Sequence, residues 1–308
     1  MGIARQILLR GSRSAWLARQ VTRNPLAGRA VRRFMPGERL EDAAAAAADL
    51  QGRGFPTILT QLGENVESAD EAEGVLDHYV TALSRLRQLD ADISIKLTHL
   101  GLDLDLEETL ARCRTLAERA AALGKVVALD MEGSPYVDRT LDVYRRLRAD
   151  HANVAICLQA YLHRTADDLE TLLPLAPAIR LVKGAYKEPA PIAIQRKRDV
   201  DANFIELAER MVAAIGAGLT MRAYFGTHDP AMVEHVKGAA VGAGLSKGAF
   251  EFQMLYGIQR PLQSLLAREG YRVRVLISYG SSWFPWFMRR LAERPANALF
   301  VLKNVLIG

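Results

Sequence analysis

Cysteine is scarce. The 308 residues contain two, Cys113 in a helical pattern and Cys157 in an apolar strand pattern, and neither has a second Cys or His at metal-ligand spacing. That excludes a cysteine-rich scaffold and a thiolate metal site, and it reads both as core or surface thiols in a reducing compartment. Acidic residues are missing from one end: the first 37 residues hold eight arginines and no Asp or Glu. The formal charge of +5 therefore arises there, the remainder being 5 minus 8, or −3, so nucleic acid is not an expected partner. There is no signal-peptide apolar region with a small-residue cleavage site, and no uncharged apolar run approaches the ~18 residues of a spanning helix. The bulk of the chain should be soluble. No proline-rich, serine-rich or long charged linker divides it, and half of its composition is hydrophobic, enough for one large core.

The basic stretch spaces Ile7, Leu8, Leu9, Trp16, Leu17 and Val21 among its arginines. Three readings fit it: a targeting presequence, a membrane-surface helix, or a basic helix lying across the fold. "GERLEDAAAAAADLQGRG" then reads as a helix of high intrinsic propensity closed by Gly52 and Gly54. Beyond it, apolar runs alternate with amphipathic helical stretches that end in glycine. The runs are "TILTQLGE" from 57, "ISIKLTHLG" from 93, "VVALDMEG" from 126, "VAICLQAY" from 154, "IRLVKGAY" from 179, "MRAYFGTHD" from 221, "FEFQML" from 250 and "RVRVLISYG" from 272. Eight repeats of strand and helix predict an α/β protein, a distorted (β/α)8 TIM-type barrel with additional N-terminal helices. The expected division is a helical arm over 1–50 and a barrel over 51–308.

In such barrels the chemistry gathers where strands end. Lys96 interrupts the second strand and Asp130 ends the third, close enough at the mouth to form an ion pair; a lysine there also suits a Schiff base. Gln159 ends the fourth strand. Arg180 and Lys183 on the fifth precede Gly184 and Ala185, donors beside an accessible backbone turn that suit an electron-rich ring or an anion. Thr227 and His228 end the sixth, where contact with a ligand competes with capping of the helix after Pro230 and with a packed core histidine. "VGAGLSKG" mimics a dinucleotide fingerprint, but Lys247 occupies the third glycine position and a helix precedes it, so it is rejected. After the eighth strand, Trp286, Arg289, Arg290 and Glu293 fall on one helical face. Such a pair is either solvated surface or a clamp in which two guanidiniums bracket one small carboxylate.

These segments together resemble the proline dehydrogenase family, in its short monofunctional bacterial form, from "RRFMPGE" and "LGENV" through "KLTHLG", "LDMEG", "LQAYL", "RLVKGAY", "GTHD" and "EFQML" to "MRRLAERPAN". The resemblance implies non-covalent FAD over the C-terminal face and oxidation of L-proline to 1-pyrroline-5-carboxylate, with electrons passed to a membrane quinone. It implies that Arg289 and Arg290 bind the substrate carboxylate, that Lys96 pairs with it, that Asp130 orients Lys96, and that Arg180 sits at the reactive flavin nitrogen. Met131, Gln159, Lys183, Gly184, Ala185, Thr227 and His228 would contact FAD; Tyr186 and Leu255 would line the substrate pocket. The implied location is cytoplasmic, with peripheral contact at the inner face of a membrane through the basic arm and the apolar tail "ALFVLKNVLIG".

Two positions depart from the family. Aligned on Gly280, Leu276 and Ser278 stand where Tyr and Pro of a Tyr-x-Pro-x-Gly pattern are expected, and Trp286 stands where Tyr is usual. A wider pocket, tolerant of 4-hydroxyproline, is expected at Leu276. The rivals are a methylenetetrahydrofolate reductase-like flavin barrel using NAD(P)H, a Schiff-base lyase using Lys96 or Lys183, and a non-enzymatic proline- or flavin-binding regulator.

Overall fold

A computed structural model of the chain describes residues 31–284 and 287–288. The N-terminal part of the basic arm, the apolar tail, Trp286, Arg289 and Arg290 lie outside the described residues.

The eight expected strands form and close on themselves: β1 (Thr57–Gln61), β2 (Ala91–Ile95), β3 (Val127–Leu129), β4 (Val154–Gln159), β5 (Ala178–Val182), β6 (Arg222–Gly226), β7 (Phe250–Leu255) and β8 (Arg272–Tyr279). Each pairs parallel with the next, and β8 returns to β1 in the register Leu276↔Ile58 and Ser278↔Thr60. Between them run α2 (Ala69–Arg85), α3 (Leu106–Ala121), α4 (Val137–Arg148), α5 (Thr165–Leu172), α6 (Lys197–Gly216), α7 (Pro230–Gly242) and α8 (Arg260–Arg268), preceded by α1 (Leu40–Gly52). Local chemistry sets several helix starts: Ser68 accepts from the Glu71 amide at 3.2 Å and Asp105 from the Glu108 amide at 2.9 Å. At α7 the Asp229 carboxylate accepts from the Ala231 amide, with Pro230 as the first helical residue.

The alanine run is helical, as its propensity demands. Leu40, Ala43, Ala47 and Leu50 recur on the buried side of α1, which packs on β1 and β8 and joins the same core as the barrel strands. Trp283, just past β8, donates to Glu38 at 2.8 Å, and Phe34 packs on Phe287, so the start of the described chain meets its end. No helix among the described residues is long and apolar enough to cross a membrane.

Alternation along the strands sorts two faces. Phe225, Phe252, Tyr279 and their neighbours are buried under the helices, while Tyr224, Glu251, Gln253, Arg274, Leu276 and Ser278 take the opposite parity and face the interior. Ala128, Ala155 and Ala178, on three consecutive strands, cluster with Tyr224, small side chains making room for one large ring. At the N-terminal end of the barrel Arg274 bonds Glu251 at 2.9 Å and Asp92 at 3.1 Å.

Candidate active site

The C-terminal mouth is assembled around Arg180. Its side chain starts on β5, in register with Cys157 on β4, and is 4% exposed. Nη2 donates to Asp130 Oδ1 and, at 3.1 Å, to Ser94 Oγ; Ser94 in turn donates to Asp130 Oδ1 at 2.8 Å. Burial works against the guanidinium charge, but the Asp130 carboxylate and the Cys157 sulfur together outweigh it and the Arg180 pKa is raised. Burial likewise pushes the Cys157 thiol up. Nη1 of Arg180 is buried without a hydrogen-bond partner.

The expected Lys96–Asp130 ion pair does not form: among the described residues the ion-pair partner of Asp130 is Arg180. Arg180 reaches the carboxylate from β5 across β4, where Cys157 is small, although the chain at Lys96 runs beside Asp130 before it turns over Thr98–Leu100. Lys96 is half-buried there, and its charge is felt by two neighbours. It opposes the upward push of burial on Glu132, whose carboxylate also accepts from the Thr98 amide at 3.1 Å and hydroxyl at 2.6 Å. It adds to the burial that brings His99 down to about 4.

His99 is therefore neutral across the physiological range and has a stability signature. A histidine depressed in the folded state contributes full stability above its unfolded pKa of about 6.5 and loses it as pH falls toward 4, because only the unfolded chain takes up the proton. The free energy of unfolding should fall by about 1.4 kcal/mol per pH unit over that window from this group. Urea titrations at pH 5 and 7 should show a shallower pH dependence in His99→Gln, by about 2 kcal/mol between them; equal slopes would remove His99 as the cause.

Gln159 ends β4 with its amide held from one side: Nε2 donates to the carbonyls of Met131 at 2.8 Å and Glu132 at 3.1 Å, which assigns Oε1 as the acceptor. That oxygen is buried and unpartnered. Lys183, past β5, is bound by Asp201 at 2.6 Å and Asp229 at 2.8 Å. Partial burial tends to raise both carboxylates, yet the hydrogen bonds from Lys183, with Lys197 adding to Asp201, bring them net downward. Gly184 follows at φ +108, and a Cβ there would enter the Tyr161 ring, so only glycine lets the main chain turn at this point. Ala185 continues that turn, and Tyr186 donates to Glu64 at 3.4 Å.

Thr227 Oγ1 accepts from the Asp229 amide at 3.2 Å, and the capping expected next to Pro230 falls to Asp229. His228 Nε2 accepts from the Leu255 amide at 2.8 Å, which ties the end of β6 to the end of β7 and assigns the imidazole proton to Nδ1. Leu255 stands in register with Leu276, and both have the interior parity. Ser278 Oγ, two residues on, is buried without a partner. Met131 is buried beside Asp130. Among the described residues no cluster of three or more His, Cys, Asp or Glu is arranged to hold a metal.

The mouth thus gathers Lys96, Asp130, Met131, Gln159, Arg180, Lys183, Gly184, Ala185, Tyr186, Thr227, His228, Leu255 and Leu276 at the C-terminal ends of the strands. The sequence reading missed Ser94, Glu132, Asp201 and Asp229. Ser94 and Glu132 lay within reach of period-2 counting, two positions from Lys96 and Asp130. The pairing of Asp201 with Lys183 joins two elements that no local pattern connects.

Fold and mouth define the class: a (β/α)8-barrel protein whose strand ends carry a buried cation and unmatched polar atoms suited to an organic ligand. A family model described as proline dehydrogenase matches residues 43–303. Proline dehydrogenase 1 of Bacillus subtilis (strain 168) is 39% identical over 277 residues, 89% of this chain and 90% of that one. The proline dehydrogenase of Deinococcus radiodurans is 38% identical over 283 residues, 90% of each. Among solved structures, proline utilization A (PutA) of Bdellovibrio bacteriovorus inactivated by N-propargylglycine superposes with a TM-score of 0.80 at 23% identity, over 91% of this chain and 35% of that one, a likeness of fold. The chain belongs to the proline dehydrogenase family, and its chemistry is that of an oxidoreductase.

Proposed function

We propose that the protein oxidises L-proline to 1-pyrroline-5-carboxylate with non-covalently bound FAD and delivers the electrons to a membrane quinone. The observation that carries this reading is the pair of unmatched atoms on neighbouring strands, Gln159 Oε1 and Arg180 Nη1, both buried in the mouth of the barrel. Burying a polar atom without a partner is unfavourable by roughly 1–3 kcal/mol, so two at one place point to a ligand that satisfies them. The edge of a flavin ring offers an N–H donor flanked by carbonyl acceptors, which suits an amide oxygen beside a guanidinium. The residues present fit the group.

Bound FAD would supply the two-electron acceptor for the hydride that leaves the substrate carbon next to nitrogen. This chain's residues do the rest. Arg180, its charge maintained by Asp130, places a fixed cation where negative charge develops. Gln159 is immobilised by the carbonyls of Met131 and Glu132, Lys183 by its two carboxylates, and His228 by the Leu255 amide. Gly184 and Ala185 bring main chain to the ligand, and Met131 and Thr227 complete the cofactor contacts. On the substrate side Arg289, Arg290 and Lys96 bind the carboxylate, while Tyr186, Leu255, Leu276 and Trp286 enclose the ring and hold its carbon at a fixed distance from the acceptor. The basic arm and the apolar tail serve contact with the lipid surface, at the cytoplasmic face, where quinone resides.

Anaerobic titration of the purified protein with L-proline is the test. Flavin absorption that bleaches on addition is the expected result. Flavin that bleaches with NADH and not with proline would transfer the assignment to a reductase, and borohydride trapping of a carbonyl substrate would favour the lyase. A protein without flavin after reconstitution would defeat the reading.

A second reading concerns specificity. Leu276 lies between Ile58 and Leu255 in register, in place of the family's tyrosine, with the unpartnered Ser278 hydroxyl two residues beyond it. The pocket should accept 4-hydroxyproline, and Leu276→Tyr should lower the hydroxyproline-to-proline ratio of kcat/KM by about tenfold, the scale on which filling such a space discriminates. A ratio that does not fall would show that Leu276 leaves the pocket no wider.

A further inference from the structure

Ser94 lies inside the barrel at 0% exposure, on the strand that leads to Lys96. A buried serine that merely filled space needs one acceptor, and the Ala128 carbonyl at 3.3 Å would serve. The shorter bond goes to Asp130 Oδ1 at 2.8 Å, and Arg180 Nη2 donates back to the Ser94 oxygen at 3.1 Å. Counting donors shows the consequence. Nη2 carries two hydrogens, one directed at Asp130 and one at Ser94, while Nη1 has no partner. With only Asp130 present, the planar guanidinium could pivot about a single oxygen; a second acceptor on another strand fixes the plane of the fork. Cys157, on the strand between, also turns its sulfur to the guanidinium.

We propose that Ser94 is a positioning residue of the redox centre: by bonding both Asp130 and Arg180 it orients the guanidinium so that its Nη1 edge meets the flavin. This rests on the flavoenzyme reading above. The test compares wild type, Ser94→Ala and Ser94→Thr by anaerobic stopped-flow reduction with proline, by the reduction potential and visible spectrum of the bound flavin, and by thermal unfolding. Threonine keeps the hydroxyl and suits a strand. In Ser94→Ala the limiting rate of flavin reduction should fall about tenfold, as expected for losing one hydrogen bond within a charged pair. The flavin potential should become more negative and the Kd for proline should stay within about twofold, the substrate contacts being made elsewhere; Ser94→Thr should recover most of the rate and the potential. Ser94→Ala with wild-type reduction rate and potential, whatever its melting temperature, would overturn the positioning role while leaving the flavoenzyme reading intact. Wild-type protein whose flavin proline does not reduce would overturn that reading, and this proposal with it.

Discussion

Arg180→Met is expected to remove flavin reduction by proline on the order of 10²–10³-fold, the scale of losing one preorganised charged donor at a reacting centre. It should also destabilise the protein by roughly 3–5 kcal/mol, because it leaves the largely buried Asp130 carboxylate at the mouth and the fully buried Ser94 hydroxyl without their cation. Arg180→Lys separates the two effects. It keeps a positive charge beside Asp130 and should recover much of the stability, but a lysine has no planar fork with a second nitrogen to present. Rapid-mixing measurements should therefore show Arg180→Lys close to Arg180→Met in rate and closer to wild type in melting temperature. Recovery of the rate in the lysine variant would mean that charge alone is required and that the geometry of Nη1 is immaterial.

Arg274→Met should give an effect of similar size on stability with none on the chemistry. Arg274 lies at the opposite end of the barrel, 6% exposed, and binds Glu251 at 2.9 Å, Asp92 at 3.1 Å and the Thr57 carbonyl at 3.1 Å. Burial disfavours its charge, but Glu251 and Asp92 more than compensate and its pKa is raised. Methionine fills much of the same volume but leaves Asp92 buried without its cation and Glu251 with Arg272 alone. The expected loss is again roughly 3–5 kcal/mol, equivalent to a drop in melting temperature on the order of 10 °C for a chain of this size. Below that temperature, flavin content and the rate of reduction by proline should match wild type. A parallel fall in rate would show that the two ends of the barrel are coupled; an unchanged melting temperature would show that Asp92 and Glu251 find other partners.

The contrast between these two arginines shows how far one-dimensional reading reaches. Both are cations within largely apolar runs, "IRLVKGAY" and "RVRVLISYG", and burial in the barrel obliges each to find partners. Position within the strand does not tell them apart, Arg180 being the middle residue of β5 and Arg274 the third of β8; it is their partners, Asp130 just past β3 against Asp92 and Glu251 near the starts of β2 and β7, that set one at the C-terminal mouth and the other at the opposite end. Adjacency in sequence suggested Lys96 for Asp130, because β2 and β3 are neighbours, but the carboxylate went to Arg180 two strands further round. A closed barrel makes interior positions on non-neighbouring strands close in space, and the longer, forked side chain reached across.

The same physics divides the rest. Period-2 alternation, glycine-terminated amphipathic helices and the absence of linkers set the eight-stranded barrel, since each pattern states locally which face must be buried and where an element must end. The residue types at the strand ends carried the family resemblance for the same reason: a strand's last polar residue can only face the mouth or the solvent. What belonged to the closed barrel alone was the matching of partners. That Ser94 completes the Asp130–Arg180 pair, that Asp201 and Asp229 converge on Lys183, and that Gln159 and Arg180 each keep one atom unmatched are facts about distances between residues separated by up to 86 positions in the chain. They are set by strand register and barrel closure, which no stretch of residues encodes without the others.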